Sequence, residues 1–490
     1  MSTAPALDRL RTMARERAVV SSAASVIGWD QETYLPDGGH EWRADQLAWL
    51  SEKAHELGTS SAWGDALAEA ESAKASPALL AAMRRDYDRA TKLPGELVAR
   101  EAQASSLAKQ AWQEARKKSD FPSFAPHLEI LLGIAREKAE RWGYEVEAYD
   151  ALLDTYERGA TAAGIATLFD ALRPRLRDLA AAAVERSAAR GAKLPPGPYP
   201  IEQQQAFNAK VAAALGFEFK AGRIDTTTHP FCTTLGPRDV RLTTRYDVND
   251  FTSSLFGVMH EAGHGLYEQG LPGSEFGLPS GEAASLGIHE SQSRLWENHV
   301  GRSQAFWEKW LPVAAEHFPQ LAKVTLEDFM AVVLGAEFTF IRVEADEATY
   351  DLHILLRFGL ERRLVSGELA VKDVPAAWNE SFRDLFGMTP PDDARGCLQD
   401  IHWAMGGLGY FSTYTLGNLN AAQLFAAASA DPIIDAGLVK ADYAPLLAWL
   451  RQHVHAKGAV MTPAEIVREA TGKEPSPEAH LAHLTRRYVG

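Results

Sequence analysis

Cysteine is nearly missing from this chain: Cys232 and Cys397 are the two thiols in 490 residues. A disulfide framework is thereby excluded, and a reducing cytoplasm is the expected compartment. No Cys-x-x-Cys pair occurs, so both thiols read as buried small hydrophobes. No run of about 18 apolar residues occurs, which excludes a helical membrane span, and Met1 to Arg11 has no apolar leader segment. Basic charge is in deficit, with 50 Lys plus Arg against 65 Asp plus Glu and a net charge of −15. An acidic surface of that kind repels nucleic acid and anionic membranes. A nucleophilic serine framed by a G-x-S-x-G elbow is also missing.

Helix formers, by contrast, are plentiful. Ala, Leu, Glu and Arg recur with helical periodicity over Asp65–Ala73, Gly95–Arg116, Phe124–Trp142, Thr161–Arg186 and Asp351–Leu364. Pro174 should kink or split the fourth of these. Strand-like sequence is confined to Arg223–Thr234 and Val240–Tyr246, Thr-rich runs around the turn Gly236-Pro237-Arg238, and reads as a hairpin. Thr462-Pro463-Ala464-Glu465 is a capping box opening a last helix. The expected fold is mainly α, with one small β-sheet or hairpin. The Pro-Gly-rich stretch 191–200 reads as a loop inside a single catalytic unit covering 1–490. A helical lobe of roughly 1–190 precedes it, and a motif-bearing region, 201–490, follows.

The chemistry concentrates in His260-Glu261-Ala262-Gly263-His264. Asp250 can cap a helix from Phe251 that Gly270 and Pro272 terminate. Two histidines four apart project from one face of it, and Glu261 lies about 100° further round the axis. Two imidazoles leave a zinc tetrahedron incomplete, so a third protein ligand is required and one position stays open for water. A third His six residues after His264 is ruled out by Gly270. Glu268 shares the first helix and closes the tetrahedron poorly. Glu290, opening a second helix in His289-Glu290-Ser291-Gln292, supplies the carboxylate, so the expected ligands are His260, His264 and Glu290. Zinc then activates a water, and Glu261 is the expected general base, passing the proton to the leaving amine.

The chain resembles the carboxypeptidase Taq family, metallopeptidase family 32, over nearly its whole length. The resemblance rests on His229-Pro230-Phe231, Asp239-Val240-Arg241-Leu242-Thr243, His260–His264 and His289-Glu290-Ser291-Gln292. Further matches are Ile341-Arg342-Val343-Glu344-Ala345-Asp346, Gly396-Cys397-Leu398-Gln399-Asp400-Ile401-His402-Trp403, Trp29-Asp30-Gln31 and Tyr149–Asp154. It implies a C-terminal exopeptidase of broad specificity that releases single amino acids from peptides. It also implies one divalent ion per chain, usually zinc or cobalt, a helical zincin-like fold with a deep groove, and a homodimer.

A free α-carboxylate is best held by a guanidinium fork. Arg342, expected on a helix with Asp346, Tyr350 and His353, is the favoured anchor, and Arg241 is the alternative; a salt bridge to Asp346 or Asp239 is the plainer role. His402 and Tyr410, beside the Gly-rich stretch 406–409, are expected to donate hydrogen bonds to the tetrahedral oxyanion, with Tyr414 as alternate. His229, held extended by Pro230, can line the substrate path. Asp346 is a candidate acceptor for a ligand imidazole. An oligopeptidase cutting internal bonds uses the same metal chemistry, and a peptide with a blocked C-terminus separates the two. A helical binding protein with an inert metal site has no need of Glu261.

Overall fold

A computed structural model describes residues 4–74 and 76–490. The chain folds into two compact units, each assembled from three separate segments. The first comprises Met1–Thr91, Lys193–Val333 and Asn420–Pro475; the second comprises Lys92–Ala192, Leu334–Leu419 and Ser476–Gly490.

Helices dominate both, as the composition requires. In the second unit the expected helices run Gly95–Lys118, Phe121–Trp142, Ala162–Arg190 and Tyr350–Ser366. Pro174 lies inside the third of these, which continues unbroken through it. Their apolar faces close one core around Leu128, Phe169, Leu352, Leu360, Phe382 and Leu408. In the first unit, Leu10, Ala66, Leu67 and Met83 pack together beneath the N-terminal helices. The capping box at Thr462 forms as expected, the Thr462 hydroxyl accepting from the Glu465 N–H and the Glu465 carboxylate from the Thr462 N–H. Among the described residues no helix is long and apolar enough to cross a membrane.

The small sheet belongs to the first unit and departs from a plain hairpin. The run expected as one strand is two, β1 (Gly222–Thr226) and β2 (Cys232–Gly236), and β3 (Asp239–Thr244) lies between them. β2 and β3 are antiparallel across the Pro237-Arg238 turn, whereas β1 is parallel to β3. The intervening Thr227–Phe231 stays tied to β3 at both ends: the Thr227 N–H donates to the Thr244 carbonyl, and the Thr243 hydroxyl accepts from the Phe231 N–H. Val240 and Leu242, fully buried on β3, point at the helix Phe251–Gly270. A Cβ on Gly265 of that helix would meet Leu242 at 2.9 Å. The sheet is thus the backing plate of the His260 helix.

Candidate metal centre

Asp250 caps the His260 helix, its carboxylate accepting from the N–H groups of Thr252 and Ser253. The second helix, Leu286–Arg294, starts four residues before Glu290, capped by Ser285, and continues as a π turn over Leu295–Val300. The two helices approach so closely at Gly263 that a Cβ there would lie 2.5 Å from the Gln292 carbonyl and 2.6 Å from Ser293 Cα. This glycine inside the H-E-x-x-H segment is therefore a packing requirement.

That close approach brings the three expected ligands together. Glu290 Oε2 stands 3.7 Å from His260 Nε2 and 3.5 Å from His264 Nε2. Ligands about 2.0–2.2 Å from a tetrahedral ion are roughly 3.4 Å apart, so one ion fits among these three atoms. The tautomers agree with that reading. His260 donates from Nδ1 to Glu297 Oε2 at 2.9 Å, which leaves its Nε2 lone pair facing Glu290. His264 donates from Nδ1 to the His289 carbonyl at 3.0 Å, with His289 Nδ1 at 2.6 Å as a second acceptor. His289 can accept because its proton is held on Nε2 by Glu268 Oε1 at 2.8 Å. Glu268 is in turn fixed by the Thr234 hydroxyl at 2.7 Å, so β2 reaches the centre through a relay of side chains. The donor set of two imidazoles and one carboxylate suits a borderline divalent cation.

Electrostatics distinguish the groups. Burial alone would lower His260, but Glu290 and Glu297 outweigh it and hold it above its usual value. His264 is pushed well below by burial and by its His neighbours. Burial pushes the Glu261 carboxyl up to about 7, against the pull of His260. Burial would also raise Glu297, yet Arg294, His260 and Arg302 bring it down to about 2.

Two other residues singled out by sequence lie in this unit. Arg241, on β3, makes a two-pronged bond to Asp239 with both distances 2.9 Å, and its guanidinium stacks 4.1 Å from the Trp29 ring. His229 is exposed in the loop between β1 and β2.

Arg342, His402, Tyr410 and Tyr414 belong to the second unit and cluster there. Arg342 is not on a helix with Asp346. It sits in the short turn Arg342–Glu344, and the helix starts only at Tyr350. Asp346 is the reason: its carboxylate accepts from the N–H groups of Glu337, Ala348 and Thr349, stabilising a loop in place of a helical turn. It is therefore not the acceptor for a ligand imidazole, a position held by Glu297. Arg342 is buried and bonds Asp400 Oδ1 from Nε and Nη2 at 3.0 and 2.8 Å, and the Tyr350 hydroxyl at 2.8 Å. Arg357 holds the other oxygen of Asp400 at 2.7 Å. His402 Nε2 is 3.2 Å from the Tyr414 hydroxyl, and its ring lies 5.0 Å from that of Tyr410. Burial, aided by Arg342, pushes His402 down to about 3, so the ring is neutral. Beneath Tyr410, Glu361 accepts from the Gly409 N–H, the Trp403 indole and the Tyr149 hydroxyl.

Sequence reasoning missed Glu297, Arg294, His289 as a proton acceptor, Arg357 and Glu361. Arg294 and Glu297 carried a local signal, four and seven residues from Glu290 and so on the same helical face.

The chain is similar to known metallopeptidases over nearly its whole length. A family model described as carboxypeptidase Taq (M32) metallopeptidase matches residues 9–488. The chain is 42% identical to thermostable carboxypeptidase 1 of Thermus thermophilus, the alignment covering 100% of this chain and 99% of that protein. It is 37% identical to carboxypeptidase 1 of Bacillus subtilis over 96% of this chain and 95% of that one. Among solved structures, metallocarboxypeptidase 1 of Trypanosoma cruzi superposes with a TM-score of 0.95 at 34% identity, covering 100% of both chains. The M32 carboxypeptidase of Deinococcus radiodurans gives 0.93 at 37% identity, covering 99% of this chain and 98% of that one.

Proposed function

The chain belongs to the carboxypeptidase Taq (M32) metallopeptidase family, and from that premise we propose that it is a zinc-dependent carboxypeptidase of broad specificity. It is a metal-dependent peptide hydrolase. In this proposal it releases single amino acids from free C-termini, with His260, His264 and Glu290 holding the ion. The observation that carries it is the convergence of two tautomer-locked Nε2 atoms on one oxygen of Glu290.

A divalent cation bound there polarises the scissile carbonyl and acidifies a water. Glu261, next to His260 and almost fully buried, takes a proton from the attacking water onto a carboxylate oxygen and returns it to the departing amine. Burial raises its affinity for the proton it must accept. His402 and Tyr410 are assigned to the oxyanion, with Tyr414 as alternate. Arg342 is assigned to the substrate carboxylate and Arg241 is the alternative, and His229 lines the peptide's path. Zinc is the proposed metal and cobalt a substitute, since nitrogen-rich sites with one carboxylate accept both. A cytoplasmic homodimer formed of single catalytic units completes the reading.

Amino-acid release from an unblocked peptide, followed with chelator and then with added zinc, tests the proposal. Release should stop, resume, and be absent for the amidated peptide. Cleavage of the amidated peptide at internal bonds would establish an endopeptidase instead.

A further inference from the structure

Glu290 has two oxygens, and the structure gives them different neighbours. Oε2 faces the two imidazoles at 3.7 and 3.5 Å. Oε1 accepts a charge-assisted hydrogen bond of 2.7 Å from Arg294 Nε, one helical turn further on. Arg294 is itself fixed, because its Nη1 reaches Glu297 Oε2 at 3.3 Å, the same oxygen that orients His260. Glu297 is steadied in turn by Arg302 Nη2 at 3.3 Å on its other oxygen. The side chains of Glu290, Arg294 and Glu297 are only 8, 14 and 12% exposed, so water competes weakly for these bonds.

A carboxylate can bind a cation through one oxygen or through both. Small tetrahedral ions are satisfied by one, whereas larger hard cations gain from the second oxygen. We propose that Arg294 locks Glu290 into one-oxygen coordination and so acts as a determinant of metal selectivity. The proposal rests on the ligand set given above. It limits the protein to three donor atoms, two nitrogens and one oxygen. That number leaves room for water and a substrate carbonyl, and favours zinc and cobalt over manganese. Arg294 acts through Glu290 and Glu297; it is a positioning residue, and its effect belongs to binding and coordination as much as to rate.

The two roles of its guanidinium can be separated by substitution. Arg294→Met removes both charge and fork, freeing Oε1 to swing toward the ion. Arg294→Lys keeps the charge and one bond. Cobalt absorption reports coordination number, since tetrahedral sites absorb much more strongly than five- or six-coordinate ones. The cobalt-loaded Arg294→Met protein is expected to lose band intensity, and its preference for zinc over manganese, measured by chelator competition, to fall about tenfold. Arg294→Lys should keep the parent's spectrum. The zinc-loaded parent supplies a check independent of whether a variant folds. In its crystal structure one Glu290 oxygen should lie about 2.0–2.2 Å from the ion, with the other still on Arg294. Both oxygens equidistant from zinc would overturn the lock while leaving the metal centre intact. So would an Arg294→Met spectrum and metal preference equal to the parent's. A parent that takes up no divalent ion would overturn the metal centre and the lock together.

Discussion

Glu261 is where metal binding and bond cleavage can be pulled apart. It is adjacent to a proposed ligand but is not one, so Glu261→Gln should keep its zinc while losing about 10²- to 10⁴-fold in kcat. Metal content and turnover measured on the same preparation check this, and a variant retaining parental turnover would remove Glu261 from the mechanism. Tyr410→Phe should lower kcat at nearly constant KM, because an oxyanion donor acts chiefly in the transition state; an unchanged kcat would transfer the role to Tyr414 or abolish it. The carboxylate anchor needs a different readout. Arg342 shares the buried Asp400 with Arg357, so Arg342→Ala leaves Asp400 paired to Arg357 but strips the hydrogen bonds from its Oδ1, and should cost about 1–3 kcal/mol of stability. Arg241, paired with Asp239 on a more open strand, should cost far less. The anchor is the arginine whose loss erases the preference for a free over an amidated C-terminus, and unchanged discrimination acquits either one.

Helices and strands set the distances these residues act across, and the glycine between the two metal helices is the tightest constraint. Gly263→Ala drives a methyl into the backbone at Gln292 and Ser293, neither of which is a flexible side-chain end. The helices must separate, which should cost about 1–3 kcal/mol and weaken zinc binding on the order of tenfold. A thermal melt and a chelator titration measure both, and a variant matching the parent in both would mean that the helices tolerate a wider spacing. Elements of this kind were legible where their causes are local. The Asp250 cap, the Thr462 capping box and the Pro237-Arg238 turn depend on residues a few positions apart, so the linear order carries them. The sheet was legible only in part, since nothing local says that β3 inserts between β1 and β2. Arg342 was misplaced on a helix because four-residue spacing to Asp346 looks helical, yet that carboxylate serves the N–H groups of its own loop. Glu297, Arg357 and Glu361 went unassigned because their partners are set by packing: Arg357 and Asp400 are 43 residues apart, and Tyr149 and Glu361 are 212 apart.

Across the whole molecule, burial has moved many titrating groups, and their signs decide how stability follows pH. Five histidines are held neutral: burial lowers His402 and His455 to about 3 and His483 to about 4, and takes His264 and His353 well below their usual value. Each charges more readily when unfolded, so each adds stability above about pH 6.5 that is lost as pH falls toward its folded value. Burial would raise Glu297, Glu268, Asp351 and Asp400, but cationic or hydrogen-bonding partners outweigh it and hold all four below the usual range. Their contribution is complete above about pH 4.5 and drains away below it. Glu261 and Glu361 have the opposite sign. Burial pushes both up to about 7, so their stability is complete below about pH 4.5 and is lost as pH rises through 7. Below pH 4.5 the histidines and the four depressed carboxylates therefore act together, while from pH 4.5 to 6.5 the two raised carboxyls oppose the histidines. Metal-free protein should show a steep loss of stability below about pH 4.5 and a shallower dependence above it, each group adding at most about 1.4 kcal/mol per pH unit. Glu361→Gln removes one opposing slope far from any proposed ligand in sequence, so its stability relative to the parent should climb between pH 4.5 and 7. Denaturant melts of both proteins across that range measure the difference, and a difference that stays constant with pH would show that Glu361 does not titrate there.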